Sequence, residues 1–357
     1  MHYKKNMFAA LFIAFVFFMG SCKSILPDAL TGASLPFDPD GNSLYHMTDE
    51  TAMAPGTLEV AGEVVESGKV NLKKFYKREV VLREARLLSG GEYEFVGAYR
   101  YIGYSLFDLL HPFNHNKKNK EEFRPAIDLY VIIENDKGET VSLSWGEIFF
   151  TANPHQILIA TESAPIKPYR VDVDYPVEKQ WKLVVGTDLF ASRQLINPVK
   201  ITVRSFDKKN YVINRDLDPL YSPELLISLS DTLTFAVNEY TAELNDLEYR
   251  TIFYGMGMGH HPNPFFNGRS LNDVVSEHFG LLNHKLFRNG LVCFAGIDGY
   301  RAIYSFSELF NRVDQTSPML VVTEEGRDGG RYRIFHPIDF YADRSVKSLA
   351  EMYIFTE

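Results

Sequence analysis

Any fold available to this chain must accommodate one sparse pattern twice. Gly103-x-Ser105-Leu106-x-Asp108-Leu109-Leu110 recurs as Gly268-x-Ser270-Leu271-x-Asp273-Val274-Val275, and two further pairs follow in the same order. Gly138 with Trp145-Gly146-Glu147-Ile148-Phe149 matches Gly299 with Phe306-Ser307-Glu308-Leu309-Phe310 at a constant offset of 161. Asp188 stands five residues before Arg193, and Asp339 stands five before Arg344. A repeat this long does not suit a solenoid of short units and implies two similarly built domains. The length of 357 residues agrees, since single cores stop growing by about 300 residues.

Local patterns are those of short strands and short capped helices. The segment from Thr57 to Val65 alternates as a half-buried strand does, and strands are also expected around Val80 and Leu82 and from Tyr93 to Gly97. Ser105 and Ser270 are placed to cap helices beginning at Leu106 and Leu271, with Gly103 and Gly268 permitting a preceding turn. Asp128 to Ile133 and Glu139 to Leu143 form a hairpin that Leu291 to Ala295 and Tyr300 to Tyr304 repeat across Asp298-Gly299. Ser144 with Glu147, and Ser305 with Glu308, each make a capping box. The expected class is α+β with mixed or antiparallel sheets, in domains spanning 57–205 and 206–357.

At the N-terminus, Lys4 and Lys5 precede a 13-residue apolar run, Met7 to Met19, which Gly20-Ser21-Cys22 closes. That run is short for a membrane span, which needs about 20 residues, and the order of features reads as an export signal over 1–21. It resembles a bacterial lipoprotein signal with Cys22 as the lipid attachment site; a plain secretory signal is the other reading. The segment 22–56, rich in Pro, Gly, Asp and Ser, reads as a tether or irregular arm. The only other cysteine, Cys293, lies in an apolar run and reads as a core residue. A net charge of −9 and a single short lysine cluster, Lys117-Lys118-Asn119-Lys120, argue against nucleic acid, and the lysines read as loop decoration.

Taken together, Phe266-x-Gly268-x-Ser270-Leu271-x-Asp273, Asp298-Gly299-Tyr300-Arg301 with Ser305-x-x-Glu308-Leu309, Arg331 to Pro337, and Asp339-x-x-x-x-Arg344 resemble the molybdopterin-binding domain of the sulfite oxidase and nitrate reductase family. The resemblance covers most of the second half, and the first half is a weaker copy. It implies two tandem sulfite oxidase-like domains. In that family a cysteine ahead of the Gly-x-x-Leu element binds molybdenum, yet the matching loops, Val96 to Ile102 and Gly255 to Asn267, contain none.

The two copies differ most in that place. Tyr93 to Gly103 spans ten positions and Tyr249 to Gly268 spans nineteen. The extra residues include Gly257, Gly259, His260 and His261, whose amides and rings suit an anion or small ligand. Arg269, Arg301, Arg333 and His336 are further candidates for an anionic ligand. Adjacent histidines with no third ligand nearby do not predict a metal site. Because Asp188/Arg193 and Asp339/Arg344 recur in both copies, they read as structural ion pairs. No hydrolase elbow, zinc helix or phosphate loop is present. The expected function is a non-catalytic binding or scaffold lipoprotein of the cell envelope, on the outer membrane facing the periplasm. It would take an envelope protein or a small anion as partner, and no cofactor. The alternative is a periplasmic oxidoreductase that keeps a molybdopterin-type cofactor without the cysteine.

Overall fold

A computed structural model describes residues 45–230, 232–237, 247–262, 264–322 and 330–357. The export signal, Cys22 and the arm as far as residue 44 lie outside these described residues.

The chain is dominated by strands, in small mixed and antiparallel sheets arranged as a ring like that of a four-bladed propeller. Each half supplies two of the four main sheets. In the first half Arg78–Leu87, Tyr93–Ser105, Ile157–Pro168 and Lys182–Val185 lie side by side in that order, all antiparallel. Leu247–Arg250, Phe265–Ser270, Met319–Val322 and Tyr332–Phe335 repeat that sheet in the second half. The other sheet of the first half runs Gly68–Lys69, Glu59–Gly62, Pro198–Ser205, Leu129–Asn135, Thr140–Ser144. Its single parallel pairing joins Glu59–Gly62 to Pro198–Ser205. The counterpart runs Leu233–Val237, Leu225–Leu229, Leu349–Thr356, Gly290–Gly296, Arg301–Ser305, and its parallel pairing falls at the same place, between Leu225–Leu229 and Leu349–Thr356. The duplication visible in a few residues is thus a duplication of strand order and direction.

The first half carries one addition. Ile157–Pro168 extends well past its short neighbour Lys182–Val185, leaving backbone groups that need partners. Thr51–Ala52 and Tyr45–Met47 pair with that exposed length, and Met53 is buried beneath. Tyr45–Met47 and Thr51–Ala52, expected within an irregular arm, therefore dock as edge strands.

Gly103 and Gly268 do not form turns, contrary to the expectation from sequence. Both lie within strands. A Cβ on Gly103 would stand 2.2 Å from the Ile159 carbonyl oxygen, and one on Gly268 would stand 2.2 Å from that of Leu320. Glycine recurs there because the neighbouring strand comes too close for any side chain. The helices Leu106–Leu110 and Leu271–Ser276 follow directly. Ser270 caps its helix through Asp273 N, whereas Ser105 makes no side-chain cap.

The two units interlock. The segment after the helix Trp145–Phe149 pairs with the second half, Ala152 N donating to Ile338 O and Phe340 N to Phe150 O. The segment after Phe306–Phe310 pairs with the first half in the same way, Leu189 N donating to Asn311 O and Val313 N to Thr187 O. The core of the second half also encloses Ala85, Phe123, Ile127 and Phe190 of the first.

Gly103→Ala and Gly268→Ala should each destabilise the protein by about 1–3 kcal/mol or more, as an overpacked interior does. Gly68→Ala, where a Cβ meets nothing within 4 Å, should stay within about 0.5 kcal/mol of wild type. Denaturant unfolding of the three variants checks this.

Candidate functional site

Both capping boxes form as the sequence indicates. The hydroxyls of Ser144 and Ser305 accept from Glu147 N and Glu308 N, and each glutamate reaches back to its serine amide. The edge strands Thr140–Ser144 and Arg301–Ser305 lie against each other, so the two boxes meet back to back. Arg193 Nη1 donates to both carboxylate oxygens of Glu147 at 2.8 Å and to Ser305 Oγ at 3.0 Å, while Nε and Nη2 bind Asp188 at 2.9 and 2.7 Å. Arg344 repeats this with Glu308, with Asp339 and, across the junction, with Ser144 Oγ at 3.2 Å. Ser144 Oγ donates to Glu308 at 2.6 Å. Each arginine thus binds two carboxylates of its own unit and the capping serine of the other.

Two guanidinium groups do not balance four buried carboxylates. Burial pushes the Glu147 carboxyl up to about 7 against the pull of Arg193, with the charge of Glu308 adding to the rise. Burial likewise raises Asp339 to about 6 despite Arg344, and raises Asp188 despite Arg193. Burial works against the charge of each arginine, but the adjacent carboxylates raise both above their ordinary range, so both stay charged. The sequence marked the Asp/Arg pairs; it did not show that the capping glutamates complete them.

The candidate binding residues do not converge. Arg301 reaches into the first half, 2.9 Å from Glu122 and 3.4 Å from buried Asp128. Lys117, expected to decorate a loop, is buried on the same aspartate and also bonds the carbonyls of Phe123 and Pro125. Arg269 pairs with Glu277 at 2.9 Å, and Arg333 stacks its guanidinium over Phe253 and Phe266. Register places Arg333 level with Gly268 and Arg269 level with Ile334, so these two arginines leave opposite faces of the sheet. Gly257 and Gly259, both at positive φ, shape a small hairpin from Tyr254–Gly255 to Gly259–His260. His260 is exposed, and the ring of His261 turns inward to Gly255 O at 3.2 Å. Among the described residues no group of three His, Cys, Asp or Glu is placed to hold a metal. Cys293 is buried in its strand, and burial pushes its thiol well up.

The polar group Ser105, His155 and Asp108 is not a nucleophilic triad. One ring nitrogen, His155 Nδ1, faces both Ser105 Oγ at 3.1 Å and Asp108 at 3.8 Å. A triad needs the hydroxyl on one nitrogen and the carboxylate on the other. Ser105 is also fully buried.

A cavity of about 150 Å³ lies in the second half, and a more open depression of about 410 Å³ lies along Lys167 to Val173 in the first. The walls of the cavity are Arg250 to Tyr254, which lie in the interval that is longer in the second copy, and Phe335 to Pro337 with Asp339 to Ala342 and Ser345. Of the residues singled out from sequence, His336 and Asp339 line it. Their neighbours Phe340 and Tyr341 carried no signal, while Arg250 to Tyr254 sat inside the longer interval. The adjacent hairpin is pinned to the floor by Met256 N, which donates to Asp343 at 3.0 Å. No protein-family model matches the chain, and no curated protein matches it.

Proton uptake by the buried cluster sets a pH dependence. Between about pH 4.5 and 7, native Glu147 keeps a proton that the unfolded chain has released. Its contribution to stability is therefore largest below this window, falls as pH rises through it, and is constant above. In Glu147→Gln that decline is absent, so the stability of the variant relative to wild type should increase by a few kcal/mol from pH 5 to pH 8. Urea unfolding at both pH values tests this; a difference that is flat or decreases would contradict it.

Proposed function

We propose that this chain is a non-catalytic binding protein of the cell envelope, lipid-anchored through Cys22 and attached to the outer membrane facing the periplasm. We read its two units as degenerate copies of the sulfite oxidase-type molybdopterin-binding domain. The observation that carries the binding role is the cavity at Arg250 to Tyr254 and His336. Part of its wall, Thr251 to Tyr254, belongs to the longer interval of the second copy, whereas the recurring Asp/Arg pairs hold the copies together. A long segment grafted on a duplicated scaffold is where recognition is free to diverge.

The residues present do not fit a molybdenum-bound pterin. The loops 96–102 and 255–267 offer no thiolate, and the Cys293 thiol is held protonated in the core. A soft metal centre has no thiolate donor here. The arginines that would collect an anion are each engaged elsewhere, over acidic side chains or aromatic rings.

Protein purified from its native host should incorporate labelled palmitate, and Cys22→Ser should lose the label and be released from the membrane fraction. Elemental and pterin analysis of the same preparation should find neither molybdenum nor pterin in stoichiometric amount. Stoichiometric molybdenum would overturn the binding-protein reading, and label that persists in Cys22→Ser would overturn the anchor.

A further inference from the structure

We propose that the chain pairs edge to edge with a second copy of itself along Arg78–Leu87, the two strands running antiparallel about a two-fold axis at Val81. This goes beyond the binding reading and depends on neither the cavity nor the anchor.

The open edge is the first observation. Arg78–Leu87 is ten residues long and lies at one side of its sheet, where it pairs only with Tyr93–Ser105. Among the described residues no other segment makes a backbone hydrogen bond to it. Every second residue therefore turns an amide and a carbonyl outward. The other open edges are shorter, five residues at Leu233–Val237 and four at Leu247–Arg250 and Tyr332–Phe335. A free edge as long as Arg78–Leu87 is a template for another strand.

The order of side chains specifies which strand. A two-fold axis normal to the sheet keeps like faces together, so opposite residues must be an even number apart in sequence. With Val81 on the axis, Glu79 lies opposite Arg83, Val80 opposite Leu82, and Arg78 opposite Glu84, each pair occurring twice. Moving the axis to Val80 sets Glu79 against Val81, and moving it to Leu82 sets Arg83 against Val81. An axis at Glu79 or at Arg83 opposes like charges. Charges on an edge normally keep strands apart. Here they change sign about Val81, so they reject other registers and admit a second copy.

The solvent-facing residues are free to make these contacts. Glu79, Val81 and Arg83 alternate with buried Val80 and are all exposed, Val81 by 61%. Arg83 has no acidic partner among the described residues. Glu79 shares Arg100 with Glu50, at 3.2 and 2.6 Å, so one cation serves two carboxylates and Glu79 can accept another. Arg78 and Glu84 are already held within the chain, by Asp108 and by Lys182. Specificity therefore rests on Glu79 with Arg83, and the two Val81 side chains cover each other across the axis.

Sedimentation velocity of the full chain in detergent, from micromolar to submillimolar concentration, tests this. Wild type should pass from monomer to dimer. Glu79→Arg and Arg83→Glu each set like charges opposite one another twice, and should each weaken dimerisation about tenfold or more. Mixed one to one, the two variants should dimerise again, because each then meets opposite charge; this recovery also shows that both are folded. In intact envelopes Val81→Cys should give a disulfide-linked dimer on mild oxidation, since directly opposite Cα atoms of an antiparallel pair lie about 4.5–5.5 Å apart, within disulfide reach. Arg83→Cys, which would face Glu79, should stay unlinked. A wild type that remains monomeric throughout, a dimer that both charge variants leave intact, or no recovery on mixing would overturn the proposal. The anchor and cofactor experiments test the binding reading separately.

Discussion

Arg193 and Arg344 are buried between four carboxylates at the junction of two copies of one fold, and the remaining architecture depends on that contact. Each guanidinium is bound by a glutamate that also closes a helix cap and by an aspartate five residues away in sequence. Each also crosses to the capping serine of the other unit. Removing either arginine would leave buried carboxylates without their partner, which is far more costly than the intact arrangement is stabilising. The cluster therefore acts chiefly on geometry. It permits one docking of the two units and makes others expensive, and the paired loops at 150–152 with 338–340 and at 187–189 with 311–313 complete that docking.

A shared junction constrains both copies alike, and this separates structural residues from those free to take on recognition. Residues that must satisfy the junction recur at fixed spacing. The cavity draws on both kinds: Asp339 recurs as Asp188, whereas Thr251 to Tyr254 lie in the longer interval of the second unit. The cavity nevertheless borders the junction: Asp339 lines it while binding Arg344, and His336 stacks on Tyr304, which lies beneath the same arginine. The repeated scaffold and the longer interval of the second unit meet at this cavity.

Much of the fold was legible. Hairpins and capping boxes are local, set by turn residues and by serine and glutamate three apart, and Ser144, Glu147, Ser305 and Glu308 stand as their sequence indicates. Burial of Cys293 followed from its apolar surroundings. The roles of Gly103 and Gly268 were not legible, because the carbonyls that exclude a side chain come from strands more than 50 residues away. Lys117 misled for a similar reason: three lysines beside two glutamates look solvated until Asp128 and two carbonyls close around one of them. The candidate arginines looked convergent because sequence carries no information about which face of a sheet a side chain leaves, and each found a separate partner.

By itself the sequence determined that the chain is built twice, where each copy places its hairpin and capped helix, and where the copies differ. Those properties depend on spacings of a few residues and survive without knowledge of what lies nearby. Only the tertiary structure decided that the copies interlock, that Glu147 and Glu308 join the arginines at the junction, and that buried His336 lies at the wall of a cavity. Those outcomes depend on groups from distant parts of the chain being brought within about 3 Å in a low-dielectric interior, where a single hydrogen-bond partner gained or missing sets the charge state and the chemistry.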